Sequence, residues 1–174
     1  MIEVHHTADL TSAQVAEIRA LLDAAFDGVD DTDFAHALGG MHALVREDGQ
    51  LVAHGAVVAR RLRHGERSLR TGYVEAVAVA PTHRRRGLGG VVMAELERII
   101  RGGYELGALG ASDDGAGLYR ARGWQCWPGT VSVVGPRGIE RCPEEDGAVY
   151  VLPVTAELDE QGDLACEWRD GDVW

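Results

Sequence analysis

Apolar positions along the chain follow two rhythms. Alternating or short continuous apolar runs at 2–6, 41–46, 51–62, 67–79, 104–109, 130–134 and 148–154 predict strands. Helical spacing begins at Val15, Ile18, Leu22, Ala25 and Phe26, behind a capping box at Thr11-Ser12-Ala13-Gln14 and ahead of a stop at Asp27-Gly28. A short second helix opens on Asp30, Asp31 and Asp33 and stops at Gly39-Gly40. A third spans 91–101, turning Val92, Leu96, Ile99 and Ile100 inward, with Gly102-Gly103 at its end. A fourth, capped by Ser112-Asp113-Asp114, carries Leu118, Tyr119 and Arg122 and ends at Gly123.

Turn chemistry connects these elements. Glu47-Asp48-Gly49-Gln50 and His64-Gly65-Glu66 read as tight turns, so 41–46, 51–62 and 67–79 form an antiparallel meander. Within 67–79, Val74, Val77 and Val79 are expected to be buried. The strand at 104–109 is entered through a helix crossover and should run parallel to 67–79. The strands at 130–134 and 148–154 read as a late pair joined by a loop at 137–147. A tail with two Trp, Trp168 and Trp174, is expected to dock rather than fray. The expected architecture is one α/β (α+β) domain over 1–174: a mixed, mostly antiparallel sheet with a parallel, splayed central strand pair and flanking helices.

Composition narrows the function. A chain of 174 residues with 45% hydrophobic content has the length and apolar content for a proper core. No apolar run approaches ~18 residues, and the first residues lack a basic segment followed by an apolar one. A cytoplasmic protein that neither crosses nor binds a membrane is the expectation. Three cysteines, Cys126, Cys142 and Cys166, are an odd number without metal-ligand spacing and read as free thiols. The net charge of −11 argues against nucleic acid as the main partner. That charge is unevenly placed. Ten Arg and four Glu lie between Arg60 and Arg101, whereas ten carboxylates and a single Arg follow from Glu144 onward. One region invites an anion and the other a cation.

The chemistry centres on Arg84-Arg85-Arg86-Gly87-Leu88-Gly89-Gly90, between a Val/Ala strand and a helix. Unpaired N–H groups at the helix start suit a diphosphate, the glycines allow close approach, and the Arg triplet adds charged donors. In that context Arg84-x-x-Gly87-x-Gly89 resembles the acetyl-CoA pyrophosphate loop of the GCN5-related N-acetyltransferases (GNATs). An acyl thioester on such a loop would lie along Val77, Ala78 and Val79 like an added strand, taking backbone bonds. Acyl transfer to an amine needs a base, because an ammonium cannot attack. Glu75 is placed for that role, directly or through a water. A backbone N–H near Val77 would hold the oxyanion and Tyr119 would protonate the leaving thiolate. No metal is called for.

Longer stretches carry a narrower resemblance. Leu38-Gly39-Gly40-Met41-His42, Gly72-Tyr73-Val74-Glu75-Ala76-Val77-Ala78-Val79, Tyr104-Glu105-Leu106-Gly107, Ala111-Ser112-Asp113-Asp114-Gly115, Leu118-Tyr119, Gly123-Trp124 and Trp168-Arg169-x-Gly171-Asp172-x-Trp174 together resemble the aminoglycoside 2′-N-acetyltransferases. The resemblance implies acetylation of the 2′-amino group of an aminoglycoside by acetyl-CoA, in a homodimer. It puts Glu75 at the water-mediated base position and Tyr119 at the acid position. Val77–Val79, Arg84, Arg85, Arg86, Gly87, Leu88, Gly89, Gly90, Ser112 and Tyr119 fall on the cofactor. Asp30, Asp33, Glu75, Ala76, Gly110, Glu144, Glu145, Asp172 and Trp174 fall around the drug. Gly28-Val29-Asp30 is one residue shorter than the family's Gly-Asp-Phe run, which leaves both Asp30 and Asp33 open for one carboxylate role. Gly110 stands where members often carry Ser, and Glu145 where they carry a shorter Asp. The acid-rich tail favours a polycation over a peptide α-amine; a different polyamine, or coenzyme A binding without turnover, are the alternatives.

Overall fold

The computed structural model describes residues 1–174. The chain packs as two compact units. The first comprises Met1–Val58 and Val74–Ile99, the second Ala59–Tyr73 and Ile100–Trp174.

The first unit holds β1 (Ile2–His6), α1 (Ser12–Phe26), α2 (Asp31–His36) and β2 (Met41–Glu47), then the opening part of β3 (Gln50–His64), the closing part of β4 (Arg67–Val79) and most of α3 (Leu88–Gly103). The expected capping box starts α1: Thr11 Oγ1 accepts from Gln14 N at 3.2 Å, and Gln14 Oε1 accepts from Thr11 N at 2.9 Å. Ile18, Leu21 and Leu22 on its inner face pack with Leu44 of β2 and Ala78 of β4. Phe26, expected inside, is 50% exposed because α1 ends beside it, at Asp27 in a left-handed conformation. β1 pairs antiparallel with β2, and β2 with β3. The latter register shifts by one residue between Val45 and Arg46, a β-bulge that decides which side chains meet farther along.

The helix expected over 91–101 instead spans Leu88–Gly103, so Leu88, Gly89 and Gly90 form its first turn and Gly102 and Gly103 its last. Its buried row is Val92, Met93, Leu96 and Ile100, with Ile99 only partly covered. β4 also departs from expectation. Val74 and Ala78 are buried, whereas Val77 and Val79 are half-buried. The reason is Ala76, whose φ of +54° breaks the regular pleat. After it, Ala78 packs into the α1 cluster while Val77 borders Gly55 beside Val92 and Leu96.

The second unit contains β5 (Leu106–Gly110), α4 (Asp113–Ala121), β6 (Gln125–Cys126), β7 (Thr130–Gly135), β8 (Gly138–Arg141), β9 (Val149–Pro153) and β10 (Asp163–Glu167). Its strands follow the order β6-β9-β5-β4-β3-β10-β7-β8. As expected, β4 and β5 run parallel, with Thr71, Gly72 and Tyr73 opposite Leu106, Gly107 and Ala108. The pairing expected between 130–134 and 148–154 is absent. β9 instead lies antiparallel to β5, and β7 is flanked by β8 and by β10, the latter in parallel. The loop expected over 137–147 contributes β8. The tail does dock, as a strand between β3 and β7, and it ends on Trp174, 4% exposed, whose Nε1 donates to Ser132 O at 3.1 Å. Trp168 is 49% exposed. All three cysteines are free thiols.

Candidate active site

The residues expected on the diphosphate all lie in the first unit. Pro81 stops β4 and a single turn of tight helix carries the chain to Arg84. Arg85 (φ +61°) and Gly87 (φ +79°) are both left-handed, and this double reversal drops the chain into α3. The first helical bond runs from Val91 N to Gly87 O at 3.2 Å. The N–H groups of Leu88, Gly89 and Gly90 precede it and lie at the positive end of the helix dipole. Arg84 donates to Ala25 O at 2.9 Å, which ties the loop to α1. Arg86 pairs with Glu47 at 2.9 Å, and His83 lies 3.6 Å from the same carboxylate. Nothing local in the sequence marks Glu47, part of a hairpin-turn signal, as a partner of this loop. Arg85 is exposed and outside any ion pair. Three orphan donors, a left-handed turn at glycine and an available guanidinium fit a diphosphate.

Glu75 is half-buried, immediately before the left-handed Ala76. Asp30 caps α2, accepting from Asp33 N at 2.8 Å, so helix capping occupies one of its oxygens. Asp33 is exposed and lies 3.8 Å from His36 Nδ1. Arg19 holds the intervening Asp31 at 2.8 Å.

The remaining predicted residues belong to the second unit. Ser112 is the N-cap of α4, its hydroxyl accepting from Gly115 N at 3.3 Å. Tyr119, on that helix's buried face, packs on Trp124 and Tyr150 with ring centroids 6.3 and 6.2 Å away. Burial pushes its phenol up to about 12, so it holds its proton at any working pH. Gly110 ends β5, and a β-carbon there would lie 3.4 Å from the Trp174 carbonyl carbon. Glu145 is half-buried and its carboxyl is raised above the ordinary range, first by burial and then by Asp172 and Glu144. The last residues and the 144–145 turn therefore share one acidic field. Arg60, one of many arginines and marked by no motif, anchors the tail. It is 5% exposed and donates to Glu167 O and Val173 O, both at 2.8 Å.

Comparison with known proteins identifies the family. Residues 6–127 match the family model described as the acetyltransferase (GNAT) domain. The chain is 48% identical to the aminoglycoside 2′-N-acetyltransferase of Mycolicibacterium fortuitum, over 97% of this chain and 89% of that one. The chain belongs to the aminoglycoside 2′-N-acetyltransferase family of GNAT acetyltransferases. The GNAT fold is equally evident in solved structures. A GNAT acetyltransferase from Brucella melitensis in complex with acetyl-CoA superposes with a TM-score of 0.63 at 21% identity, covering 95% of each chain. The Escherichia coli GNAT protein YhbS in complex with CoA gives 0.69 at 16% identity, over 95% of this chain and 88% of that one. The mixed sheet with its parallel β4–β5 pair and flanking helices is thus a GNAT sheet, and the chain is an acetyltransferase.

Proposed function

We propose that this acetyltransferase transfers the acetyl group of acetyl-CoA to the 2′-amino group of aminoglycosides. The observation that carries the reading is the near-full-length kinship to an aminoglycoside 2′-N-acetyltransferase. The acidic field of Glu144, Glu145 and Asp172 supports it, since crowded, partly buried carboxylates favour a polycation that relieves their repulsion. Each ammonium–carboxylate contact contributes about 1.5–3 kcal/mol. Asp30, which caps α2, and Asp33, which lies beside His36, are further candidates.

Acetyl-CoA, once bound, supplies an acetyl group activated as a thioester. Arg85 and the N–H groups of Leu88, Gly89 and Gly90 hold its diphosphate, with Arg84 and Arg86 maintaining the loop and its positive field. Ser112, the N-cap of α4, adds a hydroxyl and a second set of helix N–H groups as candidate cofactor contacts. Main-chain groups of Val77 and Val79 align the acyl arm, and the Val77 N–H meets the negative charge that builds on the acyl oxygen. One such donor is worth roughly 3 kcal/mol. Glu75 accepts the proton that the 2′-ammonium must lose, through a water. Tyr119, protonated throughout, donates to the departing thiolate sulfur.

The deciding experiment offers the enzyme acetyl-CoA with a 2′-amino aminoglycoside and, separately, with its 2′-hydroxyl analogue. Release of coenzyme A with the first alone is the expected result. Equal turnover of the two overturns the position of transfer, and turnover of neither overturns the substrate class.

A further inference from the structure

A buried polar chain in the first unit takes no part in the reading above. Thr7 Oγ1 lies 2.7 Å from His42 Nε2, His42 Nδ1 lies 3.0 Å from His54 Nε2, and His54 Nδ1 lies 2.9 Å from Ala76 O. Both imidazoles are completely buried. The terminus of the chain dictates its proton order. A carbonyl only accepts, so His54 carries its hydrogen on Nδ1 and accepts at Nε2. His42 must then donate from Nδ1 and accept at Nε2. The Thr7 hydroxyl supplies that last hydrogen while accepting from Gly39 N at 2.8 Å and Gly40 N at 3.2 Å. Gly40 O, 3.1 Å from the same hydroxyl, is the more distant of its two acceptors. Every ring nitrogen is satisfied in one direction only. Burial keeps both rings neutral: it lowers His42 to about 4, helped by the nearby His6 and His5, and His54 to about 3, with His42 adding a smaller push.

The chain terminates on the residue of β4 that most needs support. Ala76 is held at φ +54°, a left-handed conformation that is strained for a residue bearing a β-carbon. Its neighbours on either side are Glu75 and Val77. We propose that Thr7, His42 and His54 form a positioning relay that locks the Ala76 peptide in this conformation and thereby aims the Glu75 carboxylate and the Val77 N–H for acyl transfer. The proposal rests on the roles given to those two groups above. None of the three relay residues touches substrate; they act through one carbonyl. Two buried histidines where two aliphatic side chains would pack more cheaply are explained by the carbonyl they hold.

The test has a structural and a kinetic arm. Nitrogen-resolved NMR of the imidazoles in the intact protein at neutral pH should show both rings neutral with the hydrogen on Nδ1. A hydrogen on Nε2 of either ring overturns the relay. Thr7→Val removes only the first hydroxyl from a half-buried residue, and the His42 ring signals should then change while the protein stays folded; unchanged His42 signals disconnect Thr7 from the chain. In the kinetic arm, His54→Leu should lower kcat about tenfold or more and leave the KM for acetyl-CoA within about threefold, since the diphosphate loop is elsewhere on the chain. His54→Asn retains a donor near the Nδ1 position and should regain most of that loss. Wild-type kcat in His54→Leu, or equal damage in both variants, refutes the positioning role. If the wild-type chain turns over no amine, the proposed function fails by itself, and the ring-nitrogen spectrum still decides the relay.

Discussion

Glu75 and Tyr119 are given opposite proton duties, and their surroundings differ accordingly. Glu75 is half-buried at a break in a strand, where water reaches it. Tyr119 is sealed between Trp124 and Tyr150, and its phenol stays protonated up to about pH 12. A phenol so placed is a dependable hydrogen-bond donor, so the help to a thiolate proposed for it would not depend on pH in the working range. The two variants should therefore separate in a pH profile. Glu75→Gln should lower kcat/KM by about 10²–10³ near neutrality and by much less above pH 9, where free amine is already present. Tyr119→Phe should lower kcat by a similar factor at every pH, with acetyl-CoA binding spared. Parallel profiles for wild type and Glu75→Gln would exclude the carboxylate as base. Both residues stand out in the sequence as candidates because each sits in a short motif whose neighbours are chemically distinctive. His42 and His54 do not, although both lie in strands read correctly as a hairpin. Counting outward from the Glu47–Gln50 turn places His42 opposite Gly55; the one-residue bulge at Val45/Arg46 moves it opposite Ala56. Only with that shift are the two rings diagonal neighbours on one face.

At the scale of elements, local signals worked and non-local pairing did not. The α1 capping box, the α4 cap at Ser112, the β2–β3 turn and the parallel β4–β5 pair all followed from residues close in sequence or from the handed crossover through α3. β10 was unreadable as a strand partner. Leu164, Ala165 and Cys166 are a short apolar run, and nothing in them specifies insertion between β3 and β7. The start of α3 was misplaced by three residues for a related reason. Glycine is poor helix former by propensity, yet Leu88-Gly89-Gly90 is helical because the left-handed Gly87 launches it and the buried row from Val92 onward holds it. This makes Gly87 a clean test of the loop. A β-carbon there meets nothing within 4 Å, so any penalty is conformational rather than steric. Gly87→Val should raise the KM for acetyl-CoA about tenfold, and Gly87→Asn by clearly less, because Asn tolerates the left-handed region. Equal effects would mean that the loop's shape at Gly87 does not position the diphosphate.

The whole molecule carries two kinds of buried ionisable group with opposite demands on pH. His42 and His54 have folded values of about 4 and about 3, below the 6.5 of an unperturbed imidazole. Between those limits the unfolded chain binds more protons than the folded one, so their contribution to stability is full above about pH 6.5 and is lost as the pH falls toward 4 and then 3. Glu145 has the reverse sign. Its carboxyl is raised, so its like-charge strain appears as the pH rises through the folded value and is relieved below it. The histidines dominate, because two completely buried rings each shifted by more than two pH units outweigh one half-buried carboxylate. Denaturant unfolding should therefore show stability falling by a few kcal/mol from about pH 6.5 to about pH 4. A His42→Asn/His54→Asn double variant, less stable at neutral pH, should show a visibly flatter curve over the same interval. An unchanged slope would assign the acid sensitivity to the carboxylates instead. A polycation bound against Glu144, Glu145 and Asp172 should act on the other term: by offsetting the repulsion that helps raise Glu145 it should lower that carboxyl toward its ordinary range, so calorimetry in buffers of different ionisation enthalpy should record proton release on binding at pH values within Glu145's raised range.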